Sequence, residues 1–215
     1  RVALNVATLI GHNTVRGQVM GGSFARPPTT AELDRMRGLV EQAMKDGAVG
    51  LSTGLIYLPG TFAKTDEIVA LAKVAAAHGG IYASHMRYET TRIFEALDEL
   101  TTIAREARIP AEVSHLKLSG PAAWGRADEV IGYLDRARAA GLAMTLDQYA
   151  YTASSTSIGT LIAAAFREGG RKQYLERLKR KKLNRHLIDP IHEGCPDCED
   201  IGAEGYASDH LKYGP

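Results

Sequence analysis

The chain has 215 residues, 45% of them hydrophobic, with 26 Lys and Arg against 25 Asp and Glu, a formal charge of +1 and a pI near 8.0. That balance gives no electrostatic reason to expect a nucleic acid or a membrane surface as partner, and the length allows one sizeable core or a large piece of one domain. No apolar run approaches the roughly 20 residues of a spanning helix. Arg1-Val2-Ala3-Leu4 is not the start of a signal peptide, and the missing initiator Met suggests a trimmed or partial chain. A cytoplasmic protein is the expectation, and the two cysteines, Cys195 and Cys198 in a single C-x-x-C, suit a reducing compartment.

Val2 to Ile10 is an apolar run broken by Gly11-His12-Asn13, which predicts a buried strand followed by a loop. After Pro27-Pro28, Thr29 with Glu32 forms a capping box. It opens a helix whose apolar face is Leu33, Met36, Leu39, Val40 and Ala43, and Gly47 ends it. Val49 to Thr53 reads as a strand and Thr65 to Ala77 as an amphipathic helix closed by Gly79-Gly80. The alternation continues with Ile81 to Met86 as strand, Thr91 to Arg108 as helix, Pro110 to Leu118 as strand, Ala127 to Ala140 as helix and Ala143 to Tyr151 as strand.

Strand starts near 49, 81, 110 and 143 recur about every 30 residues, the length of a βα unit, and repeated βα units mean a parallel sheet. No G-x-G-x-x-G follows the first strand and no G-x-x-x-x-G-K-[ST] occurs, which turns the choice away from an open nucleotide-binding sheet. The fold expected is an α/β (β/α)8 TIM-like barrel, incomplete within this chain because only five strands are visible. Residues 1–160 would hold the central βα units, and residues 161–215 a basic helix and an irregular tail. Its basic run from Arg167 to Arg185 reads as a solvated surface, and Cys195-Pro196-Asp197-Cys198 as incidental thiols.

Two strands end alike, in Ser84-His85-Met86-Arg87 and Ser114-His115-Leu116-Lys117. Side chains alternate along a strand, so His85 with Arg87 and His115 with Lys117 are expected on equivalent faces. That is the C-terminal end, where active sites of such barrels lie. A single histidine at a strand end is more often a hydrogen-bonded packing residue. Two in matching register can converge on one zinc, leaving a position for water whose pKa the ion lowers to about 7. Asp147, Tyr149 and Tyr151 share one face of the next strand, with Ser154, Ser155 and Thr156 just beyond. Arg87 or Lys117 is then suited to an anionic part of a small substrate, with Tyr149 and Ser155 completing its hydrogen bonds. His12, just after the first strand, reads as a packing residue at least as readily as a site residue.

At these residues the chain resembles the N-acyl-D-amino-acid deacylases of the amidohydrolase superfamily. The motifs are Gly11-His12-Asn13-Thr14-Val15-Arg16, Gly50-Leu51-Ser52-Thr53-Gly54, Tyr82 to Arg87, Val113 to Lys117, Asp147 to Tyr151 and Ser155-Thr156, spanning about three quarters of the chain. The resemblance implies zinc at His85 and His115, and a substrate carboxylate engaged by Lys117, Tyr149 and Ser155. It also implies hydrolysis of the amide of an N-acyl-D-amino acid. Members of that family carry further a His-x-His and a cysteine ligand, expected before Arg1, and a late Ser-Asp whose aspartate is the general base. Ser208-Asp209 has different flanks and arrives too early to be that motif. A cyclic-amide hydrolase of the same superfamily is the neighbouring alternative. Its bridging lysine has no counterpart in Val49-Gly50-Leu51-Ser52-Thr53. A non-catalytic metal-binding fragment is the alternative from another class.

Overall fold

In the computed structural model, residues 3–22, 24–151 and 153–178 are described; Cys195, Cys198, Ser208-Asp209 and the end of the basic run lie outside them. The chain runs β1 (Ile10–Gly11), α1 (His12–Met20), α2 (Thr30–Lys45), β2 (Gly50–Gly54), α3 (Thr65–Ala77) and β3 (Ile81–His85). It continues through α4 (Ile93–Ala107), β4 (Ala111–Val113), α5 (Ala127–Ala139) and β5 (Met144–Leu146), followed by α6 (Ala164–Arg167) and α7 (Arg171–Leu178). The capping box is formed in full: Glu32 N donates to Thr29 Oγ1 at 3.2 Å and Thr29 N to the Glu32 carboxylate at 2.7 Å. No helix among the described residues is long and apolar enough to cross a membrane.

Residues 12–20, expected to begin as a loop, instead form α1. Its inward stripe is His12, Val15, Arg16, Val19 and Met20, which is helical spacing. Two polar residues in that stripe break the apolar period a sequence shows. They are tolerated because Glu67 of α3 answers both: its carboxylate meets His12 Nε2 at 2.8 Å and accepts from Arg16 Nη1. Arg16 Nη2 also donates to the carbonyls of Phe24, at 3.2 Å, and Arg26, at 2.7 Å. His12 is therefore a packing residue that ties α1 to α3.

The five strands are parallel and lie in the order β1-β2-β3-β4-β5. The order never reverses, so among the described residues the sheet has no switch point of the doubly wound kind. One face, carrying Leu51, Thr53, Tyr82, Ser84, Ala111 and Val113, is buried beneath the helices. The opposite face is less covered, with Ser52, His85 and Glu112 half-buried and Thr145 exposed. Gly50 allows the closest strand approach, since a Cβ there would run into the carbonyl oxygen of Ile81. Gly50→Ala is expected to destabilise the protein by about 1–3 kcal/mol, the scale of overpacking. A lower urea midpoint would register it, and an unchanged one would mean that β2 and β3 separate freely.

Candidate metal centre

The C-terminal ends of β3, β4 and β5 point into one cavity of about 500 Å³ that His85, Glu89, His115, Lys117, Tyr149 and Ser155 help to line. His85 Nδ1 and His115 Nε2 face each other at 2.8 Å, their rings edge-on with centroids 4.5 Å apart. Two nitrogens bound to one zinc lie within roughly 4 Å of each other, and this pair meets that limit.

The route by which they meet differs from the expected matching register. Ser84 pairs with Val113, so the two Ser-His motifs are offset by one residue in the ladder. Continued strand alternation would then send His115 to the helix-covered face with Ala111 and Val113. The strand stops at Val113 instead, and His115 adopts φ 41°, a left-handed conformation uncommon outside glycine. That turn brings its ring to the side of His85. Asp147 holds the turn: its Oδ1 accepts from His115 N at 2.5 Å, its carbonyl from Leu116 N at 2.9 Å, and its own N donates to Val113 O at 3.1 Å.

Glu89 is the residue the sequence reading missed. Its Oε1 lies 2.6 Å from Lys117 Nζ, 3.3 Å from His115 Nδ1 and 4.0 Å from His85 Nε2. His85, Glu89 and His115 thus form a group able to hold a metal ion. The available signal was an acid four residues after His85, hidden in what reads as a loop. Burial alone would raise the pKa of Glu89, but the bond to His115 together with the charge and bond of Lys117 outweigh it, and the carboxyl lies below its ordinary value. It is ionised at neutral pH. Burial pushes His85 down to about 4, with Glu89 opposing and His115 and Lys117 adding to the shift. His85 is therefore neutral at neutral pH, the form that ligates metal. Its Nε2 is buried with no hydrogen-bond partner, and the donor set of two imidazoles beside a carboxylate fits a zinc ion.

Lys117 and Tyr149 come together as expected, Nζ lying 5.7 Å from the ring centroid. Lys117 is engaged already, by Glu89 and by His115 Nδ1 at 2.8 Å. Ser155 stands on the cavity wall, while Tyr151 is exposed. Arg87 takes another place. Although it borders the cavity, its guanidinium donates twice to Glu99 of α4, at 2.9 Å each, and to the carbonyls of Thr61, at 3.0 Å, and Ala63, at 2.9 Å. It binds β3 to its surroundings, with no donor directed at Lys117. Tyr57, not singled out by sequence, packs on His85 with centroids 5.0 Å apart.

No family model matches the chain. It is 42% identical over 156 residues to a D-aminoacylase of Alcaligenes xylosoxydans xylosoxydans, covering 73% of this chain and 32% of that protein. Among solved structures it resembles a D-aminoacylase described as defining a subset of amidohydrolases, with TM-score 0.68, 38% identity, 71% of this chain and 32% of that one covered. It also resembles the N-acyl-D-glutamate deacylase of Bordetella bronchiseptica, solved with zinc and a phosphonate inhibitor that mimics the tetrahedral intermediate. There the TM-score is 0.67 and the identity 38%, over 70% of this chain and 32% of that one. The resemblance read from the motifs is borne out, and the chain spans about a third of the length of these proteins.

Proposed function

We propose that this chain, a relative of the N-acyl-D-amino-acid deacylases of the amidohydrolase superfamily, is the central part of a zinc-dependent hydrolase that cleaves the amide of N-acyl-D-amino acids. The observation that carries the reading is the facing of His85 Nδ1 and His115 Nε2 at the ends of adjacent parallel strands. A (β/α)8 barrel completed by further strands is the architecture proposed. It is supported by the strand order without reversal and by the face left partly open beside His85.

His85 and His115 would hold the zinc, with Glu89 beside them. The bound ion would supply a Lewis acid for the scissile carbonyl and a water acidic enough to be deprotonated near neutral pH. Residues of this chain then orient the substrate. Lys117, with Tyr149 and Ser155, would take the carboxylate of the acylated amino acid, Glu89 giving up part of its hold on Nζ. The general base is a carboxylate beyond the residues that match the family.

The clamp is tested by Lys117→Met in the full-length protein. KM for N-acetyl-D-amino acids is expected to rise about 10- to 150-fold, the worth of a charge-assisted contact of about 1.5–3 kcal/mol, with zinc content unchanged. The corresponding N-acetyl amino acid amides, which lack the carboxylate, should lose far less. Equal losses for acid and amide would move Lys117 from substrate binding to support of the metal.

A further inference from the structure

Two groups of opposite character meet at the outer nitrogen of His115. Its Nδ1 lies 2.8 Å from Lys117 Nζ and 3.3 Å from Glu89 Oε1, while its Nε2 faces His85 Nδ1 at 2.8 Å. An ammonium only donates and a carboxylate only accepts, whereas a neutral imidazole carries one N–H and one acceptor nitrogen. The two neighbours of Nδ1 therefore demand opposite tautomers. With the proton on Nε2, Nδ1 accepts from Lys117, but an N–H then points at His85 and that nitrogen takes no metal. With the proton on Nδ1, Nε2 presents its lone pair to the space shared with His85, Glu89 is the acceptor for Nδ1–H, and the bond to Lys117 is lost.

We propose that Glu89 is a positioning residue: by accepting from Nδ1–H it fixes His115 in the tautomer whose Nε2 binds zinc, and it displaces Lys117 from that nitrogen. The inference rests on the zinc hydrolase reading and adds to it a link between the metal and substrate sites. Lys117 keeps Glu89, at 2.6 Å, and the His115 carbonyl, at 3.1 Å, but gives up Nδ1 as an acceptor when zinc is bound, which leaves Nζ a donor for the substrate carboxylate. Glu89 serves His115 and not His85, whose Nε2 lies 4.0 Å from it, beyond hydrogen-bond distance. A carboxylate behind a metal-bound imidazole orients the ring, and losing such a partner costs about 10- to 100-fold in metal affinity or activity.

The test takes the full-length protein, isotope-labelled at histidine nitrogen and loaded with zinc, beside its Glu89→Gln and Glu89→Leu variants. In the nuclear magnetic resonance spectrum of the parent, His115 should show a metal-bound Nε2 and a protonated Nδ1 whose proton is protected from exchange. That protection should vanish in Glu89→Leu. The zinc Kd, measured by competition with a chelator, should rise about 10- to 100-fold in Glu89→Leu. It should rise clearly less in Glu89→Gln, whose amide carbonyl still accepts from Nδ1–H. Both readouts stand apart from turnover. A protein that binds zinc in this way yet hydrolyses no N-acetyl-D-amino acid would sink the deacylase reading and leave the inference intact. A metal-bound Nδ1 overturns it, as does a zinc Kd in Glu89→Leu within about twofold of the parent. Equal losses in the two variants also overturn it, since they mark a carboxylate that ligates the metal itself.

Discussion

Alanine in place of His85 or His115 is expected to remove zinc from the full-length protein and to lower kcat/KM for N-acetyl-D-amino acids by more than about 100-fold. Loss of an outer partner of a metal ligand already costs 10- to 100-fold in affinity or activity, and these rings present their nitrogens directly to the shared space. The two substitutions should behave alike despite their different settings. His85 ends a regular strand, whereas His115 occupies a strained turn. His85→Asn and His115→Asn separate loss of metal from loss of fold, because the side chains are half-buried and an amide is easily hydrated there. Metal analysis of the purified variants decides the matter. Stoichiometric zinc in both alanine variants would end the assignment.

The strand-end histidines were legible because chemistry and period coincide in Ser-His-apolar-basic, repeated thirty residues apart. The ladder register was not. Pairing Ser84 with Val113 instead of Ser114 is a one-residue slip that reverses side-chain direction, and sequence alternation alone would have accepted the wrong face for His115. What restores convergence is a backbone turn held by a carboxylate 32 residues away, Asp147, a contact no local pattern encodes. Glu89 was missed for a related reason, since its role depends on Lys117 arriving from the next strand. The helices fared better. Thr65–Ala77 coincides with its expected span and the capping box of α2 is intact, because local propensity and burial agree there. They disagree at α1, where the inward face includes histidine and arginine.

That disagreement has a large energetic consequence. Replacing Glu67 by Ala is expected to destabilise the full-length protein by about 3–5 kcal/mol, because it leaves Arg16, fully buried, facing a void where its counter-charge stood. His12 would lose its Nε2 partner in the same step. Burial alone would raise the pKa of Glu67, but the bonds and charges of His12 and Arg16 prevail and hold it below its ordinary value. A depressed carboxylate pKa means that the ionised form stabilises the fold. That contribution is complete above the unfolded value of about 4.3 and fades as pH falls through the folded one. The gap in urea midpoint between the parent protein and Glu67→Ala should therefore be wide at pH 7 and narrow toward pH 3. Replacing His12, Arg16 and Glu67 together by apolar residues of similar size should recover much of the loss, since no charge is then left unpaired. A gap that stayed constant with pH, or a triple variant as unstable as the single one, would show that the site stabilises through packing and not through its charges.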